Sequence, residues 1–433
     1  MAEILPFQAW RYSSRHPLSS LVTQPYDKIT PAMQERYYAA SPYNLVRIIL
    51  GKPQSGDDER DNVYTRAARD FASWRREGVL QQDEQPSIYF YSQLFTPPGE
   101  GITQHERRGF IALGRLHDYA EKVVFRHEQT LAKPKADRLN LLRATRAHFG
   151  QIFMLYSDPA EKVEAQFAAS TSLPPTACVC DEYGVEHRLW QISDTTTIAA
   201  VQKLMSEKSL IIADGHHRYE TALAYRDERR KGTAVESCAP YEKVMMTFIN
   251  MDSPGLLILP THRVISGIGE TRVAKMMESA ISFFSVTKLT SDDLNEALEK
   301  LRAAGKKQSA ILVITRDGLY LLNALSEQTN AQLASLSAAQ RSLDVNLLHK
   351  LLLERELGLS EDSIRNQVNI SYYREAEQAA AQVRNGKADV AFLLNPVRAE
   401  QMRDIALAGE VMPQKSTDFY PKLLSGLTIY ALE

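Results

Sequence analysis

Asp214-Gly215-His216-His217-Arg218 sets an acid, a glycine, two imidazoles and a guanidinium side by side. A short apolar run, Leu210-Ile211-Ile212-Ala213, precedes them, and Tyr219 to Arg230 reads as helix. Three ionisable side chains in a row at a strand-to-helix junction are poor core material and good material for gripping an anion. If Asp214 caps the helix, the amides of Gly215 to His217 point out of its first turn, where the macrodipole adds roughly half a positive charge. Glycine lets an anion approach the backbone, and His216, His217 and Arg218 add charge-assisted donors. Asp214 then either holds Mg²⁺ that bridges phosphates or fixes the tautomer of a histidine. Set against this is a routine Asp N-cap beside histidines that adjoin by chance. A transition-metal site is a weaker rival, because vicinal histidines rarely point at one metal and no other His or Cys sits at ligand spacing. Neither GxxxxGK[ST] nor GxGxxG occurs, so phosphate binding here uses another scaffold.

Other clusters could serve the same site. Glu128 lies among Arg126, His127, Lys135, Arg138 and Arg143. It reads either as a base beside cations that receive an anionic substrate, or as part of a solvated basic helix with weak ion pairs. Thr261, His262 and Arg263 end an apolar strand, where sites gather; their bland role is to terminate it. Lys415, Ser416 and Thr417, with Lys422, fall in a loop bounded by Pro413 and Pro421 and resemble a phosphate or carboxylate clamp. Asp344 and His349 lie on a leucine-rich helix and read as structural.

The elements that must position these groups are a mixture. Helices are expected at Thr30–Ala40, Val63–Gly78, Lys135–Phe149, Thr271–Phe283, Ser291–Ala304, Asp344–Glu356, Tyr373–Arg384 and Ala399–Ala408. Gly305 is expected as a C-terminal cap. Strands are expected at 45–50, 87–95, 107–116, 187–192, 241–250, 256–259, 310–315, 319–322, 390–394 and 427–432. Arg316-Asp317-Gly318 reads as a hairpin turn. Strands and helices do not alternate strictly, so the fold class is α+β, or mixed α/β, rather than doubly wound. Around Ser266-Gly267-Ile268-Gly269 the character changes, which places a boundary between residues 1–265 and a C-terminal α+β domain, 266–433.

At 433 residues the chain is long enough for two or three domains with a sizeable core. A formal net charge of −2, the lack of a strongly basic domain and the lack of a helix-turn-helix argue against a nucleic-acid partner. Cys178, Cys180 and Cys238 are too sparse for a disulfide framework and lack CxxC spacing, so structural zinc is not expected. The start, Met1 to Phe7, does not read as a signal peptide, and no run approaches the roughly 18 apolar residues of a membrane span. The expected location is cytoplasmic, with no membrane partner; a homodimer is left open.

Several motifs in order carry a resemblance. Ile212 to Leu223, Pro25-Tyr26-Asp27, Pro42 to Leu45, Arg126 to Leu131 with Lys135 to Arg138, Leu259 to Arg263, and Val411 to Lys422 resemble an uncharacterised prokaryotic family, domain of unknown function 1015. The Asp214–Arg218 segment is also similar to the nucleotide-phosphate motif of the ParB/sulfiredoxin-like superfamily, which includes free-serine kinases. His216 stands where sulfiredoxins carry their cysteine, so sulfinic acid reduction is not expected. The resemblance implies a ParB/sulfiredoxin-like core with a large insertion at about 51–205. It also implies ADP or ATP with Mg²⁺, and a small hydroxylated metabolite, such as serine, as acceptor. Gly215, His216, His217, Arg218, His262, Arg263, Lys415, Ser416 and Thr417 would then contact the nucleotide. Asp214 would orient a histidine or ligate the metal, His217 would act at the phosphates, and Asp27 or Glu128 would take the acceptor's proton. A ParB-like nucleotide switch without phosphotransfer, and a hydrolase of phosphorylated metabolites, remain as rival readings.

Overall fold

The computed structural model describes residues 2–99, 101–128, 132–231 and 238–432, with side chains described throughout except at 132–135. Gln129, Thr130, Leu131 and the Lys135 side chain, all part of motifs singled out above, lie outside the described residues. The chain is a mixed α/β protein that divides into two compact units. One comprises Met1–Arg126, Thr130–Leu257 and Phe419–Glu433, the other His127–Gln129 and Ile258–Asp418.

The first unit is built on a nine-stranded mixed sheet. Its centre is Lys243–Asn250, antiparallel to His105–Arg115 on one side and parallel to Ile152–Tyr156 on the other. Leu210–Asp214 then pairs antiparallel with Ile152–Tyr156 and parallel with Val124–Arg126. On the far side Ile88–Phe95, Glu186–Ile192 and Ala177–Cys180 continue the sheet, and Ile4–Leu5 pairs antiparallel with the end of His105–Arg115. The central strands are apolar on both faces, and Phe110, Ile152, Met154, Ile212 and Phe248 are almost fully buried, which suits a covered sheet. The helix His216–Arg230 leaves the end of Leu210–Asp214 and sends Tyr219 and Ala222 into this core. Tyr219 Oη also accepts from the His117 amide at 3.0 Å and donates to the His117 carbonyl at 2.7 Å, tying the helix start to a loop of the same unit.

The second unit holds a six-stranded antiparallel sheet: Phe284–Lys288, Gly318–Ala324, Ala310–Thr315, Val390–Leu394, His262–Ile265 and Ile370–Tyr373. Helices Leu294–Gly305 and Ala376–Arg384 supply Leu294, Ala297, Leu301, Ala379, Ala380 and Val383 to its core.

The divisions and elements depart from the sequence reading in several places. The units part at Leu257 and Ile258 rather than at 265, because His262–Ile265 is a strand of the second sheet. The chain's last segment returns to the first unit, where Tyr430–Ala431 pairs with Ala147–His148. The run 45–50 is helical at Val46–Ile49: Asn44 Oδ1 accepts from the Val46 amide at 2.9 Å and starts the turn. A short, wholly apolar run does not betray its period. Ile152–Tyr156, one of the central strands, was missed for the same reason. Gly305 is not a left-handed cap but ends its helix in ordinary geometry; a Cβ there would lie 2.2 Å from Asn395 Nδ2. The Asp344 helix is α-helical only at Asp344–Leu347 and widens to a π-helix over Leu348–Glu356.

Candidate functional site

Asp214 is the last residue of its strand, and Gly215 is the N-cap of the helix that follows. The expected aspartate cap is therefore corrected: Asp214 Oδ1 takes the Gly215 amide at 2.8 Å, one residue short of the helix, and the cap itself has no side chain. Gly215 adopts φ +94°, the left-handed region that favours glycine. A Cβ at this position would come within 3.0 Å of the Arg218 guanidinium, and one at Gly150 within 3.3 Å of Arg218 Nη1. Arg218 thus folds back into a slot bounded by two glycines, where Nη1 donates to the Gln151 carbonyl.

The charge around Asp214 is the site's main property. Lys422 Nζ lies 3.4 Å from Asp214 Oδ2. Burial alone would push the Asp214 carboxyl up, but the positive charges of Lys422, Arg218, Lys28 and His216, in that order, hold it far below the usual carboxylate range. Asp214 is therefore held as a carboxylate by the basic side chains around it.

This cluster is itself anchored. Arg107 is fully buried; it donates from Nε to Gln93 Oε1 at 3.0 Å and from Nη1 to the Tyr420 carbonyl at 3.1 Å, and Nη2 reaches the Pro421 carbonyl. Gln93 Nε2 donates to the Lys422 carbonyl at 2.8 Å. Arginine and glutamine together hold the backbone that carries Lys422. Burial pulls the Arg107 guanidinium down to about 10, opposed by Tyr91 and by the charge of Asp214.

Beside Arg218 a cavity of about 70 Å³ is lined by Tyr26, Leu142, Phe149, Thr221 and Ser425, among others. Thr221 Oγ1 and Gln151 Nε2 are buried and make no hydrogen bond among the described residues. Orphaned buried polar groups are costly and are rare without a purpose. Arg138 stacks over Tyr26 at 4.1 Å and donates to the Ile49 carbonyl at 2.7 Å.

The remaining expected residues fall as follows. Asp27 is exposed in the turn Tyr26–Lys28 of the first unit. That turn is electrostatically linked to the cradle, since Lys28 acts on Asp214 and Arg218 acts on Tyr26. His217 is half-buried on the first turn of the helix. Glu128, His262, Arg263, Lys415, Ser416 and Thr417 belong to the second unit. There Glu128 Oε1 accepts from the Lys415 amide at 2.7 Å, and Thr417 Oγ1 lies 2.8 Å from His127 Nε2. His262 is buried, accepts from the Leu394 amide at 3.3 Å, and is held neutral, at about 4, by burial and Arg263. Ser416 donates to the Pro413 carbonyl at 2.6 Å. Among the described residues no group of three His, Cys, Asp or Glu side chains gathers to hold a metal.

Sequence reasoning missed Lys28, Gln93 and Arg107, and it placed Lys422 only within a clamp motif. Lys28 follows the motif Pro25-Tyr26-Asp27 directly, which was the available signal. Nothing local marks Arg107.

Fold and site define a mixed α/β protein with a cationic cradle at a strand-to-helix junction. The chain belongs to the family described as Protein of unknown function (DUF1015), which it matches over residues 4–346. No curated protein sequence matches it. Among solved structures it is similar to a conserved hypothetical protein from Pyrococcus furiosus, at 12% identity over 73% of this chain and 94% of that chain, with a TM-score of 0.37. It is also similar to a free serine kinase in complex with AMP, at 13% identity over 71% and 86%, TM-score 0.35. A third is a C-terminally truncated SbnI from Staphylococcus aureus, at 12% identity over 74% and 87%, TM-score 0.35. All three likenesses are distant. Among the described residues no helix is long and apolar enough to cross a membrane.

Proposed function

We propose that the first unit binds a nucleoside di- or triphosphate, ADP or ATP, through its phosphates at Asp214–Arg218 and transfers a phosphoryl group to a small hydroxylated metabolite. The observation that carries this reading is the convergence of Lys422, Arg218, Lys28 and His216 on one carboxylate at a glycine-capped helix start. Cationic side chains gathered at a glycine-capped helix start make a setting that suits a polyanion. The motif's similarity to nucleotide-phosphate motifs of the ParB/sulfiredoxin-like superfamily supports the same ligand, and on this reading the first unit is such a core with an insertion.

The division of labour follows from position. The amides of His216 and His217 and the side chains of His217, Arg218 and Lys422 hold phosphate oxygens. Asp214 orients Lys422 and Arg218; with its Oδ1 on the Gly215 amide and its Oδ2 facing Lys422, it would be the acid of the cradle to hold Mg²⁺, which would supply charge neutralisation. Asp27 takes the proton of the acceptor hydroxyl as the acceptor oxygen bonds to phosphorus and the bond to the leaving phosphate breaks. Glu128 is the weaker candidate for that base, because its carboxylate already holds the Lys415 amide. Catalysis of this kind rests on positioning and charge neutralisation.

The test is incubation of the full chain with Mg²⁺, ATP or ADP, and a pool of hydroxylated metabolites that includes serine, with products read by mass spectrometry. A phosphorylated acceptor formed only with both nucleotide and acceptor is the expected result. Nucleotide loss without an acceptor points instead to a switch, and phosphate released without nucleotide points to a hydrolase.

A further inference from the structure

A cavity of about 230 Å³ lies wholly within the second unit. Four elements build it. Arg263 comes from the strand His262–Ile265, and Lys306 and Lys307 follow the helix Leu294–Gly305. Ser342 to Val345 lead into the Asp344 helix, and Asn395 to Arg398 follow the strand Val390–Leu394. Gly305 lets the Asn395 loop close against the helix end: a Cβ would strike Asn395 Nδ2 at 2.2 Å, and that same nitrogen donates to the Leu301 carbonyl at 3.3 Å.

The lining has a clear chemical sense. It carries the cations Arg263, Lys306, Lys307 and Arg398 against one acid, Asp344. Arg263 is 1% exposed. Its Nη atoms hold the carbonyls of Thr261 and Lys415, while its buried Nε makes no hydrogen bond. Glu128 acts on this guanidinium through its charge and Tyr372 lies 5.5 Å beneath it, yet Nε keeps a donor to spare, which an anion could take. Asp344 is already engaged by the Ser309 and Asn395 side chains and the Ala310 amide, and burial raises its carboxyl to about 6. It remains an acceptor for a ligand's hydroxyl or amino group. Among the described residues no aromatic side chain lines the cavity, which disfavours a nucleobase. Its volume is below the roughly 300–1,000 Å³ of pockets for drug-sized ligands.

We propose that the second unit is a binding site for a small aliphatic anion that also bears a hydroxyl or amino group, a hydroxycarboxylate or a phosphomonoester, gripped by Arg263, Lys306, Lys307 and Arg398 and read by Asp344. Arg263 and Ser416, expected from the sequence at a nucleotide, serve this ligand instead. The site stands whether or not the first unit binds nucleotide.

The experiment is calorimetric titration of the full chain, at low ionic strength, with L-malate in one arm and glycerol 3-phosphate in the other. One arm or both bind with 1:1 stoichiometry, and the arm that binds more tightly names the anion type. Lys306→Ala/Lys307→Ala, at two exposed positions, weakens binding by about tenfold or more. Ser342→Trp, which fills the cavity, abolishes it while thermal unfolding stays cooperative. If Ser342→Trp fails to fold, the double lysine variant decides alone. The proposal is overturned if neither probe binds, if binding survives unchanged in the double variant, or if it is lost in Arg218→Ala instead, which would place the anion in the first unit's cradle.

Discussion

Lys422 Nζ stands 3.4 Å from Asp214 Oδ2, joining a residue near the chain's end to the strand that precedes the signature helix. The pair is a half-buried ion pair rather than a surface one, with 10% of the lysine side chain and 26% of the aspartate side chain exposed. Lys422→Met removes the largest positive contribution to Asp214 and leaves the carboxylate to repel phosphate. ADP binding by calorimetry is expected to weaken by about 2 kcal/mol, the scale of a charged hydrogen bond. Unchanged affinity would remove Lys422 from the cradle.

Arg218→Ala and His217→Ala are each expected to weaken nucleotide binding by at least ~2 kcal/mol. Arg218→Lys should not restore the loss, because an ammonium cannot reproduce the planar fork seated between Gly150 and Gly215. Equal affinities of all three variants and the parent chain would sink the phosphate-cradle reading.

Gly215→Ala places a methyl group 3.0 Å from the Arg218 guanidinium at φ +94°. Left-handed strain costs roughly 1–2 kcal/mol, and Arg218 must move. Urea denaturation should register the first effect and nucleotide titration the second.

Arg107→Gln leaves the Tyr420 and Pro421 carbonyls without their buried donor. A loss of about 2–3 kcal/mol in stability is expected. Amide exchange should quicken in the segment 423–432, and nucleotide affinity should fall with it, because Arg107 holds the backbone that carries Lys422. A stable variant with unchanged exchange would show that Gln93 alone suffices.

Two buried imidazoles of the second unit give a pH signature. Burial, then Arg263, lowers His262 to about 4, and burial, then Arg263 and Lys350, lowers His349 to about 3. An unfolded histidine titrates near ~6.5, so below that pH the unfolded chain binds more protons and stability falls as pH drops. The contribution is fully present above ~6.5 and is lost progressively toward about 4 and about 3. His349→Gln should flatten the unfolding free energy between these limits by about 1.4 kcal/mol per pH unit at most. Parallel pH profiles for variant and parent would refute the assignment.

Much of this was legible in the residues themselves. The segment Asp214–Arg218 stands out as a candidate site because its residue types are poor core material, and helices such as Pro31–Ala40 and Val63–Arg76 announce themselves by caps and period. Short, wholly buried runs hide their state: Val46–Ile49 turned out helical and Ile152–Tyr156 a strand, because apolar residues on every side erase the periodicity that tells them apart. The sequence by itself determined that glycine, histidine and arginine crowd one strand-to-helix junction, since that is local chemistry. Only the tertiary structure decided which charges complete the cradle and how. Lys28, Lys422 and Arg107 reach Asp214 through space, and Coulomb interactions between groups far apart in sequence depend on folded distance and burial, which no local pattern encodes.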